Sequence, residues 1–258
     1  CFELGAQAFD IADVCQTPVI IMSDLDLGMN DHLTAEFNWQ DEQAYQYGKL
    51  LNKEQLDELK EFGRYLDVDG DGICYRTAPG THPDKGAYFN RGTSRDHFAR
   101  YTEKPEYYVD NVDRLQRKFV TALNYLPKPD IVQGKKSAKV ALIYYGTTSH
   151  PITEAIDELK NHGISVDTLR IKAFPFHDDI ERFISKHQDT FVIEQNRDSQ
   201  MKTLLVNELQ IDPNQLTSIV NYDGLSMTSY QVVQGVLSHF SDKESKKDAA
   251  KQTNKKVG

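Results

Sequence analysis

Between residues 138 and 240, short β-branched runs alternate with amphipathic segments, and this constrains the fold more than any other feature of the chain. Residues 138–145 (AKVALIYY), 164–171 (ISVDTLRI), 190–194 (TFVIE) and 216–220 read as strands. Residues 151–162, 177–186, 199–209 and 226–240 carry apolar positions at helical spacing, with Met227, Tyr230, Val233 and Leu237 on one face of the last. Strand–helix alternation with short connections predicts a parallel, doubly wound α/β domain. Its turns hold two polar clusters. Gly146-Thr147-Thr148-Ser149 stands where a phosphate loop would, without the glycine pattern of one. Glu194-Gln195-Asn196 ends a strand and could serve a cofactor, a partner or the next helix's amides.

The upstream half is less regular. Residues 1–14 place Phe2, Phe9, Ala12 and Asp13 at helical spacing, and 17–23 (TPVIIMS) reads as a buried strand. The polar segment after it holds Asp24, Asp26 and Asn30, either ligand-binding groups beyond a strand end or helix caps. Residues 31–50, with His32, Phe37, Trp39, Tyr45 and Tyr47, fit a partly exposed surface for another subunit. Residues 52–66 predict a short helix capped by Asn52. Residues 105–126 predict a long helix whose Tyr108, Val112, Leu115, Phe119, Ala122 and Leu123 recur at three and four residues. The turn-rich stretch 127–137 (PKPDIVQGKKS) is the best domain boundary, and the lysine-rich 241–258 reads as a disordered tail.

Residues 66–92 (LDVDGDGICYRTAPGTHPDKGAYFNRG) are too rich in Gly and Pro for long elements, yet carry Tyr75, Tyr88 and Phe89, so an ordered ligand- or partner-facing loop is expected. Asp67, Asp69 and Asp71 match the start of an EF-hand loop, but the twelfth position is Ala78, not Glu. Gly70-Asp71-Gly72 opens like a diphosphate-binding motif but lacks the paired asparagines that complete it. Arg76 fits either a two-point grip on a carboxylate or a surface ion pair. His82 and His97 are isolated.

The chain has 258 residues and a net charge of −9, which disfavours nucleic acid as the main partner. No signal peptide is visible in the sequence, and there is no apolar run of about 18 residues, so no membrane span is expected. Cys1, Cys15 and Cys74 match neither a disulfide framework nor metal spacing, as for the reduced thiols of a cytoplasmic protein. An opening Cys inside an amphipathic pattern suggests a fragment of a longer chain.

Several stretches in one order resemble a known family: AFDIADVCQTPVIIMSDLDLGMN, DVDGDGICYRTAPGTHPDKGAYFNRGTSRDHFARYTE, VALIYYGTTSHPITEAIDELKNHGISVDTLRIKAFPF, FVIEQNRDSQMKTLL and NYDGLSMT. They resemble the C-terminal part of the α-subunit of a 2-oxoacid:ferredoxin oxidoreductase of the 2-oxoglutarate (2-oxoglutarate synthase) type. The resemblance implies an α/β fold in which the C-terminal part of a thiamine-diphosphate pyrimidine-binding domain (1–130, including the 66–104 loop region) is followed by a transketolase C-terminal-like doubly wound domain (138–240). It implies oxidative decarboxylation of a 2-oxoacid with coenzyme A, electrons passing to ferredoxin. Thiamine diphosphate with Mg2+ would be shared with a β-subunit, and an iron–sulfur cluster would sit in a partner subunit. Arg76, with Thr81 as helper, is the expected carboxylate-binding residue, and Asp24 and Asn30 are candidates for cofactor binding. No catalytic or metal-binding residue is expected here, since the cofactor-activating glutamate would lie upstream, and the fragment alone would be inactive. The chain departs from the family's usual pattern at Cys74, in place of Pro, and at Ser94-Arg95, in place of Gly-His. Pyruvate or another 2-oxoacid as substrate, or a non-catalytic assembly role, are the alternatives.

Overall fold

Val140 and Leu142 face one side of their strand and Ala141 and Ile143 the other, and all four are buried. Such a strand has no face to show to water, so helices must cover both sides. The computed structural model, which describes residues 1–31, 33–37, 45–134 and 138–256 (without the side chains of 244 and 246–256), has that architecture. Strands β1 (Asp130–Val132), β2 (Val140–Tyr145), β3 (Val166–Ile171), β4 (Asp189–Glu194) and β5 (Leu216–Val220) lie in the order β1-β3-β2-β4-β5. β2 to β5 pair in parallel, and β1 adds an antiparallel edge against β3.

Helices α5 (Ser149–Asn161) and α8 (Ser229–Lys256) cover one face of the sheet through Ile152, Leu159, Val232 and Val236. Helices α6 (Asp179–Ile184) and α7 (Gln200–Leu209) cover the other through Ile180, Phe183 and Leu205. Full burial of each such side chain contributes about 1.5–3 kcal/mol. From β2 the chain winds outward to β3, then returns across β2 to β4 and continues to β5, so the winding reverses between β2 and β4.

The chain forms two units, Cys1–Met22 with His32–Leu126, and Ser23–Asp31 with Pro127–Gly258. The short helix α2 (Leu25–Met29) therefore belongs with the sheet-bearing unit. The other unit holds α1 (Phe2–Cys15), α3 (Lys53–Glu58) and α4 (Pro105–Ala122), with a small core of Ile11, Cys15 and Ala122. Asn52 caps α3 through a reciprocal capping box with Gln55. No helix among the described residues is long and apolar enough to cross a membrane.

Three sequence expectations are corrected here, and one is met. Residues 17–23 form no strand; Ile20 and Met22 are more than four-fifths exposed, and among the described residues no strand pairs with them. The short helix expected within 52–66 is α3, which stops at Glu58, where Lys85 Nζ takes the carbonyls of Leu56, Asp57 and Leu59 that a further turn would use. The tail expected to be disordered continues α8 to Lys256, since its Lys, Glu, Ala and Gln are good helix formers and no Pro or Gly interrupts them. In α4 the apolar stripe is not the packed face: Tyr108, Val112, Leu115 and Phe119 are exposed, whereas Arg114 and Lys118 are buried. Those two cations point inward because loop carbonyls await them there. His32 and Trp39, expected on a surface for another subunit, lie outside the described residues.

Candidate functional site

The loop after Leu66 is held by its own acids. The Asp67 carboxylate accepts from Gly72 N at 3.0 Å and from Arg117 Nη2 at 3.1 Å. Asp69 and Asp71 converge on Lys49 Nζ at 2.7 and 2.8 Å, and the same ammonium donates to Ile73 O. Burial would lower the Lys49 pKa, but the two carboxylates outweigh it and raise the value. The alternating aspartates thus bind cationic side chains of this chain and its backbone. Helix α4 completes the brace: Arg114 Nη1 donates to Gly72 O at 2.9 Å and Thr121 Oγ1 to Asp71 O at 2.6 Å. Gly72 makes this approach possible. Its φ is +81°, and a Cβ there would lie 2.3 Å from Lys118 N.

This framework presents Arg76. Its backbone bridges to the Lys49–Leu51 segment through Arg76 N to Lys49 O and Leu51 N to Arg76 O, both 2.9 Å. The guanidinium Nη2 donates to Asp13 Oδ1 at 2.9 Å and to Tyr47 O at 3.0 Å, while Nε is buried without a hydrogen-bond partner. Arg76 pairs with neither Asp67 nor Asp69. Asp13 was the partner that sequence reasoning missed; the available signal was a lone acid on the apolar face of α1. Lys49 gave no signal at all.

The conspicuous residues that follow support the loop. Thr81 Oγ1 donates to Ala78 O at 2.8 Å, closing its own turn rather than standing beside Arg76. His82 Nδ1 accepts from the amides of Asp84 and Lys85, so its Nε2 carries the proton donated to Asp57 Oδ1 at 2.8 Å. Thr77 Oγ1 donates to Gly86 O. Burial raises the Cys74 thiol's pKa, which leaves it unreactive.

The sheet-bearing unit has a second candidate region where the winding reverses, the usual ligand position in such sheets. A cleft of about 510 Å3 opens there, lined by Thr147, His150, Glu154, Gln195, Thr228 and Asp26 among others. Gln195 Nε2 donates to the hydroxyls of Thr147 and Thr148, and its Oε1 accepts from Met227 N. The start of α5 already has an anion. Asp24 Oδ2 accepts from Thr147 N at 3.1 Å and Thr147 Oγ1 at 2.6 Å, and its Oδ1 accepts from Leu27 N at 2.9 Å. Burial alone would raise the Asp24 carboxyl, but these bonds, with His150 nearby, hold it below its ordinary value. Asn30 Nδ2 bonds to Asp26 Oδ1 at the far end of α2. Asp24 is thus engaged by Thr147 and by the first turn of its own helix, and Asn30 within its own segment.

Buried Glu194 accepts from Met201 N at 2.7 Å and Lys202 N at 3.0 Å, and Asn196 Oδ1 from Gln200 N, so this pair serves the start of α7. Of that polar cluster only Gln195 faces the cleft. Among the described residues no three His, Cys, Asp or Glu side chains come together as a metal site.

Residues 138–232 match the family model of pyruvate:ferredoxin oxidoreductase core domain II. The chain is 27% identical over 240 residues to a 2-oxoacid:ferredoxin oxidoreductase 2 subunit alpha of Aeropyrum pernix, covering 91% of this chain and 36% of that protein. It is 25% identical over 240 residues to a 2-oxoacid:ferredoxin oxidoreductase subunit alpha of Saccharolobus solfataricus, with the same coverage. The chain therefore spans about a third of the length of these curated relatives. A solved 2-oxoglutarate:ferredoxin oxidoreductase from Magnetococcus marinus shares its fold, with a TM-score of 0.75 at 20% identity over 89% of this chain and 38% of that one. Residues 138–232 of the sheet-bearing unit are thus similar to a pyruvate:ferredoxin oxidoreductase core domain II, and the chain as a whole is similar to part of the α-subunits of 2-oxoacid:ferredoxin oxidoreductases.

Proposed function

We propose that this chain is part of the α-subunit of a thiamine-diphosphate-dependent 2-oxoglutarate:ferredoxin oxidoreductase, which converts 2-oxoglutarate and coenzyme A to succinyl-CoA and CO2 while reducing ferredoxin. The observation that carries this reading is Arg76, a guanidinium on an irregular loop fixed by Lys49, Arg114 and Thr121. A pre-oriented guanidinium is suited to a substrate carboxylate, because little side-chain freedom remains to be lost on binding. The structural neighbour from Magnetococcus marinus was solved with 2-oxoglutarate, coenzyme A and succinyl-CoA bound, which favours this 2-oxoacid over others.

Bound thiamine diphosphate would supply the carbanion chemistry of decarboxylation. The residues described here do not fit as ligands of that group or its metal: the Asp24 carboxylate is committed to Thr147 and Leu27, Asn30 to Asp26, and Cys15 and Cys74 are buried thiols with raised pKa. The reading therefore assigns Mg2+, the diphosphate and the iron–sulfur cluster to a β-subunit, and this chain's part is to bind and orient the 2-oxoacid. Thr81, bonded to its own turn, would help only by shaping the loop.

The test is coenzyme-A-dependent reduction of a viologen dye by the assembled complex, with 2-oxoglutarate, pyruvate and a branched-chain 2-oxoacid, comparing wild type with Arg76→Ala. Loss of about a hundredfold in kcat/KM, or roughly 3 kcal/mol of transition-state stabilisation, is expected. Unchanged kinetics would remove Arg76 from the site. No turnover with any 2-oxoacid would favour an assembly role, and preference for another 2-oxoacid would rename the substrate.

A further inference from the structure

Arg76 already meets a carboxylate, but through one point only. Asp13, in the last turn of α1, reaches Nη2 with a single oxygen at 2.9 Å. Tyr47 O accepts from the same nitrogen at 3.0 Å, and Nε is buried without a partner. A guanidinium pairs best with a carboxylate through two parallel N–H···O bonds, so Asp13 leaves donor capacity unused. The pair is also open to solvent, with 44% of the Asp13 side chain and 26% of the Arg76 side chain exposed. The acids nearer in sequence do not compete, since Asp67 is held by Gly72 and Arg117, and Asp69 and Asp71 by Lys49.

We propose that Asp13 is the resident counter-ion of Arg76 and a specificity-determining residue of this site. An incoming carboxylate takes the place of Asp13 at Nη2 and pairs with Nε as well, exchanging a one-point contact for a two-point one, and Asp13 turns to water. A neutral ligand cannot make this exchange, because it would separate Arg76 from Asp13, its one carboxylate partner among the described residues, without supplying another. The inference rests on Arg76 being the carboxylate clamp.

The experiment uses the assembled oxidoreductase with Asp13→Asn, Asp13→Ser, Asp13→Glu and Arg76→Ala. It reads KM for the 2-oxoacid and the inhibition constant of glutarate, a dicarboxylate that cannot be decarboxylated. An ion pair this exposed shifts an equilibrium by about two- to fivefold. Asp13→Asn and Asp13→Ser are expected to lower both constants by that factor, and Asp13→Glu, which restores a counter-ion, to bring them back toward wild type. A purely structural role would instead raise them. If the two neutral variants raise both constants or leave them unchanged while Arg76→Ala weakens binding, the exchange is overturned and the clamp stands. If Arg76→Ala leaves both constants unchanged, the clamp reading fails and this inference fails with it.

Discussion

Alanine at Gly72 is expected to undock the loop that carries Arg76. The residue adopts φ +81°, and a Cβ built there would sit 2.3 Å from Lys118 N, 2.6 Å from Arg114 O and 2.8 Å from Lys118 Cα. All three are backbone atoms of α4, so no side-chain rotation relieves the clash. A left-handed conformation costs an L-residue about 1–2 kcal/mol, and forced overpacking adds about 1–3 kcal/mol. The sum, about 2–5 kcal/mol, is a large part of a domain's usual stability. Gly70 supplies the control, with φ +73° and nothing within 4 Å of its hypothetical Cβ. Gly70→Ala should lose only the conformational part, about 1–2 kcal/mol. Urea titration followed by far-UV circular dichroism reads both. With a denaturant dependence of about 2 kcal/mol per molar, Gly72→Ala should lower the midpoint of the affected unit by about 1–2.5 M, against about 0.5–1 M for the Gly70 control. Equal shifts for the two variants would refute the close approach of the loop to α4.

In the sheet-bearing unit, Glu194→Ala removes a buried carboxylate that accepts from Met201 N, Lys202 N and Asn196 Nδ2. A loss of about 2–4 kcal/mol is expected, read by thermal unfolding, with loss of amide-exchange protection concentrated at the start of α7. Asp167 gives a pH dependence. Burial raises its carboxyl, but bonds from His187 and the amides of Gly134 and Ala138 outweigh that and hold it below its ordinary value. A depressed folded pKa gives stability that is fully present above the unfolded value near ~3.9 and is lost as pH falls through the folded one. Urea midpoints should therefore fall below about pH 4, and Asp167→Asn should lose stability at neutral pH while flattening that decline. An unchanged acid slope in the variant would exclude Asp167 as a source.

The alternation over residues 138–240 is legible because both covering layers leave their period in the sequence. β5 ends where its β-branched run ends, and α5 stops at the glycine that follows it. The edge strand β1 was hidden in a turn-rich connection, since three residues paired on one side only carry no hydrophobic pattern. Arg76 stood out as a cation among glycines and prolines, but the identity of its partner did not. Asp67, Asp69 and Asp71 lay closer in sequence and were the natural candidates, whereas Asp13 is 63 residues away. At the end of β4, residue types alone could not say which of Glu194, Gln195 and Asn196 serves a helix and which faces the cleft.

By itself the sequence determined the α/β class, the parallel strands β2 to β5 with the helices between them, and the irregular character of the loop around Arg76. Each of these follows from local periodicity or from backbone preferences of Gly and Pro, which act within a few residues. The tertiary structure alone decided the strand order β1-β3-β2-β4-β5 and hence where the winding reverses. It also decided that α4 turns Arg114 and Lys118 inward, because carbonyls of Gly72 and Gln16 are there to receive them. Segment 17–23 shows the same limit from the other side: its β-branched residues have strand propensity, but a strand exists only where another segment offers its amides and carbonyls. Long-range hydrogen bonds and ion pairs depend on which distant residues meet, and no local pattern encodes that.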